Sequence, residues 1–252
     1  MLRILFILYT TCCVLKLGAE KYLKVYGLQK LTLLDYPGKL ACTLFTGGCN
    51  LRCPFCHNAS LVKSCNSYEA IPEKDFFAFL EKRRGTLDGV CVTGGEPLLQ
   101  PDLEAFLKRI KANGFLVKLD TNGCFPDKLK ALVAQGLVDY VAMDIKSSLK
   151  QYNLATGLQN IDLSGVRESI AFLLTEPIDY EFRTTVVKGL HDAVSLCEAA
   201  QLINGAKRYF LQKFVDSGDL LGRGLSSFSD NIMRNFLSIV SPYVKMAALR
   251  GL

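Results

Sequence analysis

Six short apolar runs punctuate the chain: Leu40 to Thr46, Gly89 to Thr93, Phe115 to Asp120, Val138 to Asp144, Tyr180 to Val187 and Arg208 to Lys213. Their length and content predict strands. Between them, helical spacing of apolar positions predicts helices near Lys74 to Arg84, Pro101 to Asn113, Pro126 to Gln135, Leu163 to Thr175 and Asp192 to Asn204. This alternation, with near-continuous apolar strands suited to burial on both faces, predicts an α/β fold with a parallel sheet and right-handed crossovers. Beyond Lys213 come a glycine-rich stretch, Gly218 to Gly224, a helix near Asn231 to Val240 and a final strand around Val244 to Leu249. No catalytic content is evident in that end of the chain.

Polar and glycine-bearing motifs follow the first four strands. They are a cysteine loop, Gly94-Gly95-Glu96-Pro97, Asp120-Thr121-Asn122-Gly123 and Asp144-Ile145-Lys146. Parallel α/β architectures bind ligands at the carboxyl ends of their strands, so the four motifs are expected to share one mouth.

The length of 252 residues suits a single α/β barrel, and no Pro/Gly/Ser linker divides it. Half the residues are apolar and the charges are mixed, as in a packed globular protein. The net charge of +6 is spread out, and its one tight cluster, Lys82-Arg83-Arg84, reads as a solvated helix end rather than a nucleic-acid patch. No nucleic-acid partner is expected. Ile4 to Leu15 is apolar but too short to span a bilayer as a helix, and Leu17-Gly18-Ala19 is a poor cleavage site. A membrane association is therefore not expected, and residues 1–23 read as an N-terminal extension of undefined status before one domain, residues 24–252.

Ten cysteines are present. Cys42 and Cys91 lie inside strand-like runs and read as buried free thiols of a reducing cytoplasm. The pair Cys12-Cys13 resembles a lipidation site only superficially. Cys49, Cys53 and Cys56 differ, because their Cys-x3-Cys-x2-Cys spacing in a single loop is that of a metal centre. Structural zinc usually takes two pairs of donors, no second pair follows, and His57 adjoins Cys56 too closely for comfortable tetrahedral ligation. A cubic iron–sulfur cluster takes four ligands, so three thiolates leave one iron open to a non-protein group.

These residues resemble the radical S-adenosylmethionine superfamily, whose hallmark is this Cys-x3-Cys-x-aromatic-Cys loop. The resemblance implies a partial (β/α)6 barrel in which Cys49, Cys53 and Cys56 hold a [4Fe-4S] cluster. The amino and carboxylate groups of S-adenosylmethionine would chelate the fourth iron, with Phe55 near the adenine. Iron–sulfur potentials reach roughly −700 mV, low enough to reduce a sulfonium. Gly94, Gly95 and Glu96 would receive the ligand's ammonium, Lys146 its carboxylate, and Asp144 would steady the site. His57, Asp120 and Asn122 complete the expected cofactor-binding set. Arg183 reads either as a further carboxylate ligand or as a surface ion pair, and His191 as a loop residue leading into a helix.

A narrower resemblance is to the activating enzymes of glycyl-radical enzymes, above all those of anaerobic ribonucleoside-triphosphate reductase. It rests on Leu28-Gln29-Lys30-Leu31-Thr32-Leu33-Leu34-Asp35-Tyr36-Pro37-Gly38-Lys39, on Cys56-His57-Asn58, and on Asp120-Thr121 with Asp144-Ile145-Lys146. It implies transfer of a radical to a backbone glycine of a partner enzyme, in the cytoplasm, with a flavodoxin- or ferredoxin-type electron donor. Asp120, Thr121, Asp144 and the Ala142 carbonyl would bind a monovalent cation. Asp35 would lie near the mouth, as a substrate contact or a turn residue. Gln212 stands where such relatives place a histidine. Pyruvate formate-lyase-type activation, a deazaguanine-forming reaction, and a noncatalytic iron–sulfur or zinc protein are the alternatives.

Overall fold

The computed structural model describes residues 23–63 and 69–252. The expectations for residues 1–22, including Cys12-Cys13, lie outside the described residues. Among the described residues, eight strands form one sheet in the order of the sequence. They are β1 (Val25–Thr32), β2 (Ala41–Thr46), β3 (Gly89–Gly94), β4 (Leu116–Thr121), β5 (Tyr140–Asp144), β6 (Asp179–Val186), β7 (Tyr209–Lys213) and β8 (Ala247–Arg250). β1 is antiparallel to β2 and every later pair is parallel. The edges β1 and β8 do not pair with each other, leaving an open partial barrel.

The helices are α1 (Ala59–Lys63), α2 (Glu73–Glu81), α3 (Leu103–Ala112), α4 (Pro126–Ala134), α5 (Tyr152–Thr156), α6 (Ser164–Leu174), α7 (Ala193–Leu202) and α8 (Asp230–Val240). The six expected strands are β2 to β7, and α2, α3, α4, α6 and α7 are the crossovers between them. β1 and the short α1 and α5 had no strong periodic signal. The basic triplet follows α2, where Arg84 meets Glu81 at 2.9 Å on the exposed surface.

The strands are not apolar on both faces, contrary to expectation. Leu44, Val92, Leu119, Val141, Phe182 and Leu211 face the helices and are fully buried in the main apolar cluster. Each such side chain contributes about 1.5–3 kcal/mol. The alternate positions point inward: Lys118 and Asp120 on β4, Ala142 and Asp144 on β5, Glu181 and Arg183 on β6. Parallel register sets Asp120 opposite Ala142 and Asp144 opposite Arg183. The inner wall is therefore polar, and the period-two pattern of Tyr180 to Thr185 records it. Leu23, the last residue of the expected extension, is packed in the apolar core. Cys42 and Cys91 are buried free thiols, as expected.

One expectation is corrected. Thr32 pairs with Ala41, so the loop between β1 and β2 lies at the amino ends of the parallel strands, away from the cysteine loop. Asp35 is thus not at the mouth, and its carboxylate accepts a hydrogen bond from Thr43 Oγ1 at 2.5 Å. The C-terminal strand, for which no catalytic content was expected, has a structural role. Arg250 donates to both oxygens of fully buried Glu181, at 2.7 and 2.8 Å, and its guanidinium lies 3.5 Å from the centre of the Phe210 ring. Tyr140 donates a third hydrogen bond to Glu181 at 2.9 Å.

Removing one partner of a buried ion pair strands the other charge. Arg250→Ala is expected to cost about 3 kcal/mol of unfolding free energy, measured by urea denaturation of the cluster-free protein. An unchanged midpoint would show that β8 docks without this pair.

Candidate functional site

Helix crossovers bring the chain back so that each parallel strand ends at the same rim. The loops after β2, β3, β4 and β5 consequently surround one cavity of about 250 Å³. Its wall carries Cys49, Cys53, Phe55, Cys56, His57, Gly94, Gly95, Glu96, Asp120, Thr121, Asn122, Asp144, Lys146, Arg183 and Gln212. Of the cofactor- and cation-binding positions expected from the sequence, Ala142 alone does not line it. It is buried within β5.

The cysteine loop is held from several sides. Gly48 N–H donates to the Leu61 carbonyl at 2.9 Å, and Arg52 N–H to the Thr156 carbonyl at 2.9 Å. The glycine-rich stretch after β7 clasps the loop as well, with Gly222 N–H donating to the Pro54 carbonyl at 2.7 Å. Leu51, Cys53, Phe55, Ala155, Val187 and Phe214 form a separate apolar cluster beneath it. Leu51 N–H points at Cys49 Sγ, 3.3 Å away. Cys124 packs against this cluster but does not line the cavity.

Burial raises the pKa of all three thiols, Cys53 to about 12. A metal must therefore displace their protons to bind them. Among the described residues, no three Cys, His, Asp or Glu side chains are gathered around a single ion position. The donor set, three thiols on one cavity wall with an N–H aimed at sulfur, fits a cluster.

The glycines of Gly94-Gly95-Glu96 serve chain packing as well as the cavity wall. A Cβ on Gly95 would lie 1.8 Å from the Gly48 carbonyl oxygen, and Gly94, at φ +113°, would place one 2.3 Å from Thr46 N. Only glycine lets the turn after β3 seat against the root of the cysteine loop. Glu96 then cross-links the neighbouring turns: its carboxylate accepts from Leu98 N–H at 3.1 Å, Thr121 Oγ1 at 2.9 Å and Asn122 N–H at 2.7 Å. A carboxylate has about four acceptor positions, so about one remains. Asn122 in turn donates from Nδ2 to Asn50 Oδ1 at 2.7 Å. Burial lifts the Glu96 pKa to about 7, although these hydrogen bonds pull the other way.

Behind this rim lies a ladder of ion pairs. Arg183 donates to Asp144 from Nε at 3.0 Å and to Asp120 from Nη1 at 3.2 Å. Lys146 Nζ meets Asp144 Oδ2 at 3.0 Å, and Lys118 Nζ meets Asp120 Oδ1. The Arg183 side chain is 14% exposed, so it is an interior residue and not a surface ion pair. Burial alone would raise the Asp144 pKa, but Arg183 and Lys146 hold it down at about 2. Burial pulls Asp120 up too, and Arg183 and Lys118 outweigh it.

Two contributors were missed from sequence. Lys118 is 1% exposed on the inner wall, and only its inward parity with Asp120 could have revealed it. His191 leads into α7 as expected, but it is buried and its ring is held on both sides. Its Nδ1 accepts from Val187 N–H at 3.1 Å, which leaves Nε2–H to donate to the Lys146 carbonyl at 2.8 Å. Burial lowers its pKa, consistent with this neutral tautomer. The ring sits edge-on to Phe55, centroids 6.1 Å apart. His57 lies at the exposed rim, edge-on to Phe214 at 5.7 Å.

The model of the Radical SAM superfamily matches residues 43–194, which include the cysteine loop and the strands β3 to β6. The chain belongs to this superfamily. Its cofactors are a [4Fe-4S] cluster and S-adenosylmethionine. A relative in Methanocaldococcus jannaschii, named "Putative glycyl-radical enzyme activating enzyme MJ1227", is 29% identical over 236 residues, 90% of this chain and 95% of that protein. The 7-carboxy-7-deazaguanine synthase of Koribacter versatilis is 32% identical over 151 residues, 58% of this chain and 62% of that enzyme. Among solved structures, Streptococcus suis SuiB bound to S-adenosylmethionine superimposes with a TM-score of 0.64 at 15% identity, over 81% of this chain and 48% of that one. That likeness concerns the fold. Among the described residues, no helix is long and apolar enough to cross a membrane.

Glu96→Gln tests the cross-link between the turns. Whichever way the amide turns, Leu98 N–H or Asn122 N–H faces an NH2 group, at an expected cost of about 1–3 kcal/mol. The pH dependence changes as well. The unfolded chain ionises Glu96 near 4.5 and the folded chain near 7, so the wild type loses stability as pH rises through that window. The cost of the substitution applies at pH 4.5 and is expected to fall by about 3 kcal/mol by pH 7, where the variant becomes at least as stable as wild type. Denaturant unfolding of cluster-free protein at several pH values measures it. A constant difference would mean that Glu96 ionises normally.

Proposed function

We propose that this protein is an activating enzyme that reductively cleaves S-adenosylmethionine and generates a glycyl radical on a partner enzyme, anaerobic ribonucleoside-triphosphate reductase. The observation that carries this reading is the similarity to a glycyl-radical enzyme activating enzyme along nearly the whole of both chains. The deazaguanine synthase match covers little more than half of this chain and supports the second reading, chemistry on a small molecule.

When bound, the cluster would supply the electron and S-adenosylmethionine the carbon–sulfur bond it breaks, so that methionine would leave and the 5′-deoxyadenosyl group would take the hydrogen atom given up by the partner's glycine. The chain's own residues bind, orient and shield. Cys49, Cys53 and Cys56 hold three irons. Glu96, with the backbone of Gly94 and Gly95, receives the ammonium of S-adenosylmethionine through its remaining acceptor position. Lys146 and Arg183 face the carboxylate, restrained by Asp144 and Asp120. Phe55, propped by His191, would meet the adenine, and His57, Asn122 and Gln212 would line the remainder. A glycine-bearing loop of the partner would enter at the open rim. A flavodoxin- or ferredoxin-type protein in the reducing cytoplasm would supply the electron. Residues 24–252 act as one domain in this reading.

The test is anaerobic reconstitution with iron and sulfide, which should give about four irons per chain. Wild type is expected to form 5′-deoxyadenosine, and Cys53→Ala to lose that activity. Mixing with the anaerobic reductase should produce a glycyl doublet in electron paramagnetic resonance. Cleavage retained in Cys53→Ala would defeat the cluster assignment. Cleavage without the doublet, but with turnover of a deazaguanine precursor, would favour the second reading.

A further inference from the structure

The four positions expected to hold a monovalent cation do not form a vacant pocket for one. Asp120 is engaged by Lys118 at Oδ1 and by Arg183 at Oδ2. Asp144 is engaged by Arg183 at Oδ1 and Lys146 at Oδ2. The Thr121 hydroxyl is already engaged, donating to Glu96 in the neighbouring turn at 2.9 Å and accepting from Gly123 N–H at 3.1 Å. Ala142 lies in β5 between two strands and off the cavity wall. Two carboxylates thus face three permanent cations, Lys118, Lys146 and Arg183. An added metal ion would enter a group that already carries an excess positive charge, and burial makes such an excess costly.

Lys118 accounts for the difference. Lys146 and Arg183 line the cavity, where a ligand can meet them, but Lys118 does not. It comes from the same strand as Asp120, two residues nearer the amino end of β4 and on the same face. Besides Asp120, its ammonium has only the Cys91 sulfur, 3.8 Å away, among its hydrogen-bond partners in the described residues. We propose that the Lys118 ammonium is a built-in replacement for a bound monovalent cation, neutralising Asp120 from behind so that Arg183 stays available at the S-adenosylmethionine side. Lys118 is a positioning residue, acting through Asp120. The proposal rests on the binding-site reading above.

The test compares choline, sodium and potassium chloride at matched ionic strength. Two quantities are read: the thermal midpoint of the cluster-free chain and the affinity of the reconstituted protein for S-adenosylmethionine. Wild type is expected to show no preference among the three salts in either. Lys118→Met is expected to lose about tenfold in affinity in choline. Sodium or potassium should then restore most of it and raise the variant's midpoint.

A saturable response of wild type to sodium or potassium would overturn the proposal. So would a Lys118→Met protein that binds as wild type in choline, or one whose weakened binding no ion restores. The wild-type arm stands even where the variant fails to fold. Were wild type not to bind S-adenosylmethionine at all, the proposed function would fall, while the midpoint of the cluster-free chain would still report on the ion.

Discussion

Ionised side chains on the inner wall of the barrel must neutralise one another, and the arrangement of the mouth depends on that requirement. An isolated charge taken from water costs several kcal/mol, which repays only where opposite charges and hydrogen bonds meet it. Arg183 satisfies the condition for two strands at once, reaching from β6 to Asp144 on β5 and to Asp120 on β4. Lys118 and Lys146 take the remaining carboxylate oxygens. The result is a rigid polar wall beneath the rim. Main-chain ladders alone would fix the strands without fixing these side chains.

The rim is fixed by a different device. The cysteine loop, the glycine turn and the Asp120-Thr121-Asn122 turn come from separate strands, yet each is tied to the next. Gly95 admits the Gly48 carbonyl, Glu96 collects two backbone N–H groups and a hydroxyl, and Asn122 reaches back to Asn50. A ligand entering such a frame has little backbone left to order, which is the advantage of preorganisation. His191 extends the frame on the far side by holding the Lys146 main chain through a neutral ring.

The strands β2 to β7 and the convergence of four motifs were legible because both follow from local pattern: apolar runs, helical spacing, and ligand sites at carboxyl ends. The polar inner wall was less so. Tyr180 to Thr185 does alternate, but its outward Tyr180 and Phe182 obscured the meaning of Glu181 and Arg183 between them. Lys118 was hidden for the same reason, as one lysine within an apolar run. Asp35 was misplaced because a resemblance gives a residue's neighbours in sequence, whereas the antiparallel pairing of Thr32 with Ala41 decides the end of the barrel. The clasp between Gly222 and Pro54 spans most of the chain, and no local signal reports such a pairing.

The direction of β1 has a practical corollary. Because β1 runs against β2 while β8 runs with it, Leu23 and Leu252 both leave the sheet on the side of the cysteine loop. A purification handle, fluorophore or fused domain added next to either residue would sit at the same end of the barrel as the cavity mouth. The loop between β1 and β2, at the opposite pole, is the attachment point that leaves the approach clear.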